Sequence, residues 1–541
     1  MSQTPPPPSI AAEGSPGDER SIARDVRTVS MLTLISRFGG LARDVCTVRV
    51  FGDTAVGSAF AAAFLIPNLF RRLFGEGALA AAFLPEYARA DRSDPELRDR
   101  LASLTILLLA LITVILTLIG ELVLLFIVLA APDDPERVRS FRLMMVMLPF
   151  MPLVCTAAIL GAMLQVHGRF VPAAGAPILL NVMMILGATL HFVGPRFDAV
   201  TSAYIIGSMA VASGVLQIAW CLWALRRHMR WRRDFGPARP VARSMLRKFL
   251  PVVIGLGTIQ LNALFDTLIA MWPTWIGPTI LGHPYPLDEA SNAILSYTQR
   301  LYQFPLGVFG IAVATAAFPA LAAAGADIAR VVRTLREAIR LSLFIGLPAS
   351  VGLVLVRYDL TYVMFGGGGA FSDAGVDRAS AVLLGYALGV WAYGVNHVLV
   401  RVFYARGDTT TPMKIALWAV GLNLVGNLIL IWPLGEAGLA WSTALSQFVQ
   451  TLLLARILRA RLGTALLLSD DVRAITRIGL AALGMFMVVQ GLLLVLPAEA
   501  LWSRAFWRLA LATSLGGAAY LLLASLLGLP ERRAVLRRLG R

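Results

Sequence analysis

The chain has 541 residues, a net charge of +16, 57% hydrophobic residues and only 15% charged ones. Soluble domains carry about 25% charged and about 45–50% apolar residues, so a soluble multidomain enzyme and a disordered scaffold are both excluded. In a soluble chain the basic excess would point to nucleic acid; in a membrane chain it marks loops retained in the cytoplasm, and no nucleic-acid partner is expected.

The first 27 residues are Pro-rich and polar, with no apolar core. They predict a disordered cytoplasmic tail and not a signal peptide. About fourteen apolar stretches follow, each long enough to cross a hydrocarbon layer about 30 Å thick. They lie near 29–50, 56–84, 102–130, 141–165, 171–194, 200–224, 246–272, 302–324, 338–356, 379–404, 412–434, 437–460, 475–496 and 507–529. The chain is therefore expected to be an all-α polytopic membrane protein. The second stretch is too long for one plain helix; Pro67, Arg71, Arg72 and Gly75 to Gly77 are expected to bend or break it.

Residues 28–225 form a first six-span half, 226–245 a basic linker, 246–463 a second six-span half, and 464–541 two further spans with a basic tail. An even number of spans puts both termini on one side. That side holds most of the Lys and Arg, including Arg226, Arg227, Arg230, Arg232, Arg233, Arg239, Arg243, Arg247 and Lys248, so both ends are expected in the cytoplasm. Trp220, Trp223, Trp272, Trp275, Trp432, Trp502 and Trp507 fall near span ends, as interfacial aromatics do. A weak echo links the halves: Ile66-Pro67 precedes Ala82-Phe83-Leu84-Pro85, and Phe304-Pro305 precedes Ala317-Phe318-Pro319. Paired halves around a midplane cavity are common in secondary transporters.

The informative residues are ionisable groups inside apolar runs. Arg37, Arg43 and Asp44 lie in the first span, Arg71, Arg72 and Glu76 in the second, Asp266 in the seventh, and Arg300 at the start of the eighth. A charge at the bilayer centre costs about 2.5–3.5 kcal/mol even on the lenient insertion scale. Two readings stand at this point. Arg43 pairs with Asp44 and Arg71/Arg72 with Glu76, as structural ion pairs; or the arginines line a cationic cavity, where a guanidinium grips phosphate through two hydrogen bonds. Asp266 either binds a cation such as Na⁺ or a proton, or bonds a neighbouring helix.

No catalytic apparatus is visible. Cys46, Cys155 and Cys221 are far apart, and the five histidines show no H-E-x-x-H spacing. There is no Walker A sequence and no G-x-S-x-G elbow. Phe365-Gly366-Gly367-Gly368-Gly369 lacks the strand context of a nucleotide loop and marks an external turn. No cofactor is expected.

Four segments in order resemble one family. Ser36-Arg37-Phe38-Gly39-Gly40-Leu41-Ala42-Arg43-Asp44 is similar to the first-helix signature of the MurJ (MviN) family. Pro67-Asn68-Leu69-Phe70-Arg71-Arg72-Leu73-Phe74-Gly75-Glu76-Gly77-Ala78, then Ala82-Phe83-Leu84-Pro85, resembles its second-helix signature. Arg300-Leu301-Tyr302-Gln303-Phe304-Pro305-Leu306-Gly307-Val308 resembles the start of helix eight, and Phe403-Tyr404-Ala405-Arg406-Gly407-Asp408 with Thr409 to Pro412 the loop after helix ten.

The resemblance implies a bacterial inner-membrane flippase of the multidrug/oligosaccharidyl-lipid/polysaccharide exporter superfamily, with two six-helix lobes around a central cavity and two extra C-terminal helices. Its substrate would be lipid II, the undecaprenyl-diphosphate-linked peptidoglycan precursor, and other cell-wall synthesis proteins are possible partners. By the same resemblance Arg37, Arg43, Arg71 and Arg300 match cavity arginines, with Asp44 beside them. Asp266 falls at a sodium-coordinating acid of some members, with Asp408 a weaker candidate, so that Na⁺ or H⁺ is the expected coupling ion.

The chain departs from the pattern at Ser58-Ala59-Phe60, where many members carry an acid, and at Gln299 and Gln303. The rivals are an exporter of another polyprenyl-linked glycan or of a cationic drug, a membrane-embedded glycosyltransferase, and a non-transporting cell-wall scaffold. A drug exporter predicts acids in the cavity, and a glycosyltransferase a large acid-bearing external loop.

Overall fold

A computed structural model describes residues 16–75, 78–130, 132–194, 197–307, 311–325, 327–367, 369–496 and 501–533. A bilayer offers no hydrogen-bond partners to a backbone, so apolar segments of this length must bond internally as helices. In order these are α1 (Pro16–Phe51), α2 (Ala55–Phe70), α3 (Ala78–Ser93), α4 (Pro95–Ala130), α5 (Pro135–Met147), α6 (Phe150–Val166), α7 (Val171–Val193), α8 (Ala199–Leu225) and α9 (Arg239–Ala270). The short α10 (Trp272–Trp275) leads to a two-residue hairpin, β1 (Thr279–Ile280) and β2 (His283–Pro284), paired antiparallel with Ile280 opposite His283. Then come α11 (Ser291–Pro305), α12 (Ile311–Ala324), α13 (Ile328–Phe365), α14 (Asp373–Ala405), α15 (Thr410–Leu434), α16 (Ala437–Leu462), α17 (Ser469–Val495) and α18 (Trp502–Leu526).

Every expected span coincides with one helix or with two in succession. Among the described residues, nine spans are long and apolar enough to cross a membrane on their own. The others carry charges or are interrupted. As the sequence predicts, the second span breaks: a π turn, Arg71–Gly75, joins α2 to α3 just after Pro67. Proline lacks the N–H that an α-helical ladder needs, and a π turn absorbs the mismatch. The eighth span starts earlier than expected, at Ser291, and has its own π residues at 306–307, directly after Pro305. Of the expected tail, residues 1–15 lie outside the described residues, whereas 16–27 continue α1 as helix.

Loops alternate between two faces, one rich in arginine and one poor. On the arginine-rich face the segment 226–238 folds back on α4, where Arg230 N donates to Asp99 (3.3 Å) and Arg232 N to Ser103 Oγ (3.0 Å). One core, around Phe60, Phe64, Tyr87, Met147 and Leu160, unites α2 to α8. Two more, around Leu383 and Tyr386 and around Leu335 and Phe403, unite the helices from α11 to α16. Outside these lobes, large side chains face lipid, such as Phe126 at 72% exposure on α4.

The last two helices lie against α13 through a core of Phe344, Ile478, Ala481 and Tyr520. Tyr520 donates to the Phe344 carbonyl (2.7 Å), and Arg508 to the buried Asp359 (3.0 Å). Removing one partner of a buried ion pair strands the other. Asp359→Ala is expected to destabilise the protein by about 3–5 kcal/mol, seen as a lowered Tm in detergent. Asp359→Leu combined with Arg508→Met should be milder than Asp359→Ala alone; an equal or larger loss would mean the pair does more than neutralise itself.

Candidate functional site

Between the lobes lies a cavity of about 90 Å³, open to solvent and lined among others by Arg43, Asp44, Asn68, Asp266, Gln299 and Arg300. Arg43 and Asp44 come from α1, Asn68 from α2, Asp266 from α9 and Arg300 from α11. The structure thus brings four of the expected residues to one wall-to-wall space.

Arg43 is buried and fully engaged. Its Nε and Nη2 donate to one Asp44 oxygen (3.0 and 2.6 Å), and Nη1 donates to Asn181 Oδ1 (3.1 Å). The guanidinium also lies over the Phe64 ring, 5.4 Å from its centroid. Asn181, on α7, donates in turn to the Ser36 carbonyl (3.0 Å). It comes so close to α1 that a Cβ on Gly39 would meet its Nδ2 at 3.3 Å. The other Asp44 oxygen faces Arg300 Nε at 3.8 Å, across the boundary between lobes. An Arg–Asp–Arg triad therefore spans the cavity, two positive charges around one negative. Asp44 and Asp266 line the cavity beside the arginines.

Asp266 is 5% exposed and accepts from Asn427 Nδ2 (2.7 Å). Asn427 is linked to Asn423 (3.3 Å), which donates to Ser442 Oγ and Thr443 Oγ1 (both 3.2 Å). The Asn427 Oδ1 atom is buried without a hydrogen-bond partner. The buried cluster thus holds a carboxylate and an orphaned amide oxygen, both hard oxygen atoms.

Asp408 belongs elsewhere. It precedes α15, roughly 26 Å along that helix from Asn427 at 1.5 Å per residue, and it ion-pairs with Arg461 while accepting from Thr411 N (2.9 Å). Against the burial that pushes it up, bonds from Thr411 and Arg461 hold its carboxyl down at about 2. It caps a helix and does not join Asp266.

The remaining arginines lie toward the arginine-rich face. Arg37 is exposed and reaches the break in the eighth span, its Nη1 lying 2.8 Å from where a Cβ on Gly307 would sit. Arg71 donates to Asn68 Oδ1 (3.0 Å), and Arg72 to Gln260 Oε1 on α9 (3.5 Å). Glu76, the acid expected beside them, lies outside the described residues. The π turn carrying Arg71 and Arg72 packs on α9 through Phe74 and Phe249, with ring centroids 5.7 Å apart.

On the opposite face the lobes touch again. Ser58, fully buried, accepts from the Ala293 amide with its hydroxyl (2.9 Å), and its carbonyl accepts from Asn292 (2.8 Å). Its hydroxyl thus caps the first turn of α11 from the other lobe.

Two helical lobes enclosing a charged cavity, inside a shell that faces lipid, define a polytopic membrane transporter. The fold matches a structure of a lipid II flippase MurJ in an inward-closed conformation, with TM-score 0.74, 21% identity and coverage of 95% of this chain and 99% of that one. It also matches an inward-facing multidrug resistance MATE family transporter of the MOP superfamily, with TM-score 0.65, 16% identity and coverage of 80% and 98%. The family model described as lipid II flippase MurJ matches residues 47–516. A probable lipid II flippase MurJ of Vibrio cholerae serotype O1 is 32% identical over 79% of this chain and 81% of its own length. The chain belongs to the MurJ family.

Sequence reasoning missed Asn181, Asn423, Asn427 and Asn292, neutral residues with no spacing signal. Asn181→Ala takes a partner from Arg43 Nη1 and another from the Ser36 carbonyl. It is expected to destabilise the protein by about 1–3 kcal/mol, read by thermal unfolding in detergent. The same change in an Arg43→Ala background should cost much less; full additivity would show that Asn181 does not act on Arg43.

Proposed function

We propose that this chain flips lipid II from the cytoplasmic to the outer leaflet of the bacterial inner membrane by alternating access, with both termini and the arginine-rich face in the cytoplasm. The observation that carries the reading is the Arg43–Asp44–Arg300 triad inside the interlobe cavity. In the absence of substrate Asp44 is shared by both guanidinium groups and offsets one of their two charges, which lowers the cost of holding them in a low-dielectric slab. A diphosphate carries more negative charge than one carboxylate and offers each arginine a two-point contact. It therefore displaces Asp44 from Arg300 and draws the α1 and α11 walls together around itself. Arg37, at the break of the eighth span, and Arg71, beside Asn68, meet the headgroup as it enters from the cytoplasmic side. The polyprenyl chain stays in lipid, where its transfer costs nothing.

An inside-negative potential favours outward movement of an anion by about 2.3 kcal/mol per charge per 100 mV. Return of the empty carrier needs a second source of free energy. Asp266 with Asn427 and Asn423 is the proposed site of the coupling cation, Na⁺ or H⁺, and the family names of the matched relatives support the transport reading.

The test is native mass spectrometry of the purified protein with lipid II in competition with bulk anionic phospholipid. Each lost charge-assisted contact is worth about 1.5–3 kcal/mol, so Arg43→Ala and Arg300→Ala should each weaken selective binding by about tenfold or more. Unchanged binding in both would remove the triad from recognition. In proteoliposomes, Asp266→Asn should abolish any response of flipping to Na⁺ and pH gradients. A wild-type protein indifferent to both gradients would end the coupling proposal and leave the flippase reading intact.

A further inference from the structure

A second cross-lobe contact on the arginine-poor face is built differently from the Ser58 seal. It joins the turn after α1 to the glycine-rich turn before α14. Asp53 Oδ1 accepts from the Ser372 amide (2.8 Å), and Oδ2 accepts from the Ser372 hydroxyl (2.5 Å). Ser372 is the N-cap of α14, and its hydroxyl oxygen accepts from Gly375 N (2.9 Å). Asp53 thus extends the cap of a C-lobe helix from the N-lobe, placing a carboxylate where exposed amides and the helix dipole favour negative charge.

The surrounding backbone is shaped to admit this carboxylate. Gly52 has φ +60°, and a Cβ there would sit 2.0 Å from the Ala370 carbonyl oxygen. A Cβ on Gly375 would sit 2.3 Å from Asp53 Oδ2. The Ala370 amide donates to the Arg49 carbonyl (3.4 Å), so the two turns interlock at main-chain distance. The turns belong to separate halves, and their flanking residues Phe51 and Phe371 are packed in the N-lobe and C-lobe cores respectively. The glycines therefore serve an approach between the lobes.

We infer that Asp53 is a gating residue that latches the outer mouth shut through the α14 N-cap, and that its release is a required step of each transport cycle. The inference rests on the alternating-access reading. The Ser58 contact beside it is neutral and fully buried, whereas Asp53 is half-buried with Ser372 exposed, so water can solvate both once they part. The latch is thus the part of the seal that opens at the smaller desolvation cost and supplies a charge-assisted bond while shut.

The experiment has two arms, both in the full chain with Cys46, Cys155 and Cys221 replaced. In the first, Asp53→Cys and Ser372→Cys are oxidised across the mouth in proteoliposomes. Flipping should fall to background and return on reduction, which also shows that the fold is intact. A cross-linked protein that still flips overturns the proposal. In the second, Ser296→Cys in the cavity wall reports outer opening through labelling by a membrane-impermeant maleimide from outside. Asp53→Ala should speed labelling about tenfold, equivalent to about 1.4 kcal/mol, with Asp53→Asn between it and wild type. Unchanged labelling in both variants overturns the role of Asp53 even if cross-linking blocks transport. Labelling needs no substrate, so it decides the latch even if the parent protein does not flip lipid II.

Discussion

A guanidinium cannot be left unpaired in a hydrocarbon slab, and the architecture around the cavity is organised by that constraint. Arg43 and Arg300 share a single carboxylate, Asp44, and the sharing is what joins the lobes at mid-depth. Arg43 reaches its geometry only because Asn181 takes one edge of the guanidinium and Phe64 lies under its face. Asn181 in turn needs the bare backbone of Gly39 to approach α1. A charge that must be satisfied thus dictates a glycine, an asparagine on another span and an aromatic on a third. The triad is also asymmetric. Arg43 is held by several bonds and Arg300 by one contact at 3.8 Å, so the C-lobe arginine is the one free to change partners.

The same demand for satisfied polar groups governs the lobe boundary. The first N–H groups of a helix have no partner within it. On the arginine-poor face two of these helix ends, at α11 and α14, are satisfied from the other lobe by Ser58 and Asp53. Separation of the lobes there exposes amides, which water can serve at the mouth but not at depth. On the arginine-rich face the contacts are of another kind: ring against ring at Phe74 and Phe249, and a long Arg72–Gln260 bond. One set of cross-lobe contacts is thus made of short polar caps and the other of ring packing with a single long polar bond.

Much of this was legible in the sequence, because a membrane makes length and polarity nearly sufficient for a span. The spans, the break after Pro67 and the pairing of Arg43 with Asp44 all follow from residues adjacent in the chain. What was not legible depends on distance. Asn181 lies 138 residues from Arg43, and Asn427 lies 161 from Asp266. Neutral amides in apolar helices carry no periodic signature, and only the packing of α7 and α15 shows their partners. Asp408 was grouped with Asp266 by resemblance. Its sequence position just before α15 already made it a cap, and Arg461 on α16 completes it. The turn before α14 was legible, but Ser372 was not legible as a partner of Asp53, which sits 319 residues earlier.

The cavity places Asp266 and the triad on walls of one space, so the proposed coupling of a cation to an anion would need no mechanical link. Asp266 is held by an amide donor and Asp44 by guanidinium groups. Opposite charges interact across a low-dielectric cavity over longer distances than in water. Under the proposed coupling, a cation at Asp266 would make the potential of the shared space less negative and so favour entry of an anion. An anion bound at Arg300 does the reverse for the cation site. Such linkage is reciprocal by thermodynamic necessity. Arg300, the loosely held member of the triad, sits next to Gln299 on α11, which packs on α9, the helix that carries Asp266. Its neutral neighbours Gln299 and Gln303 leave that interaction undiluted by further acids.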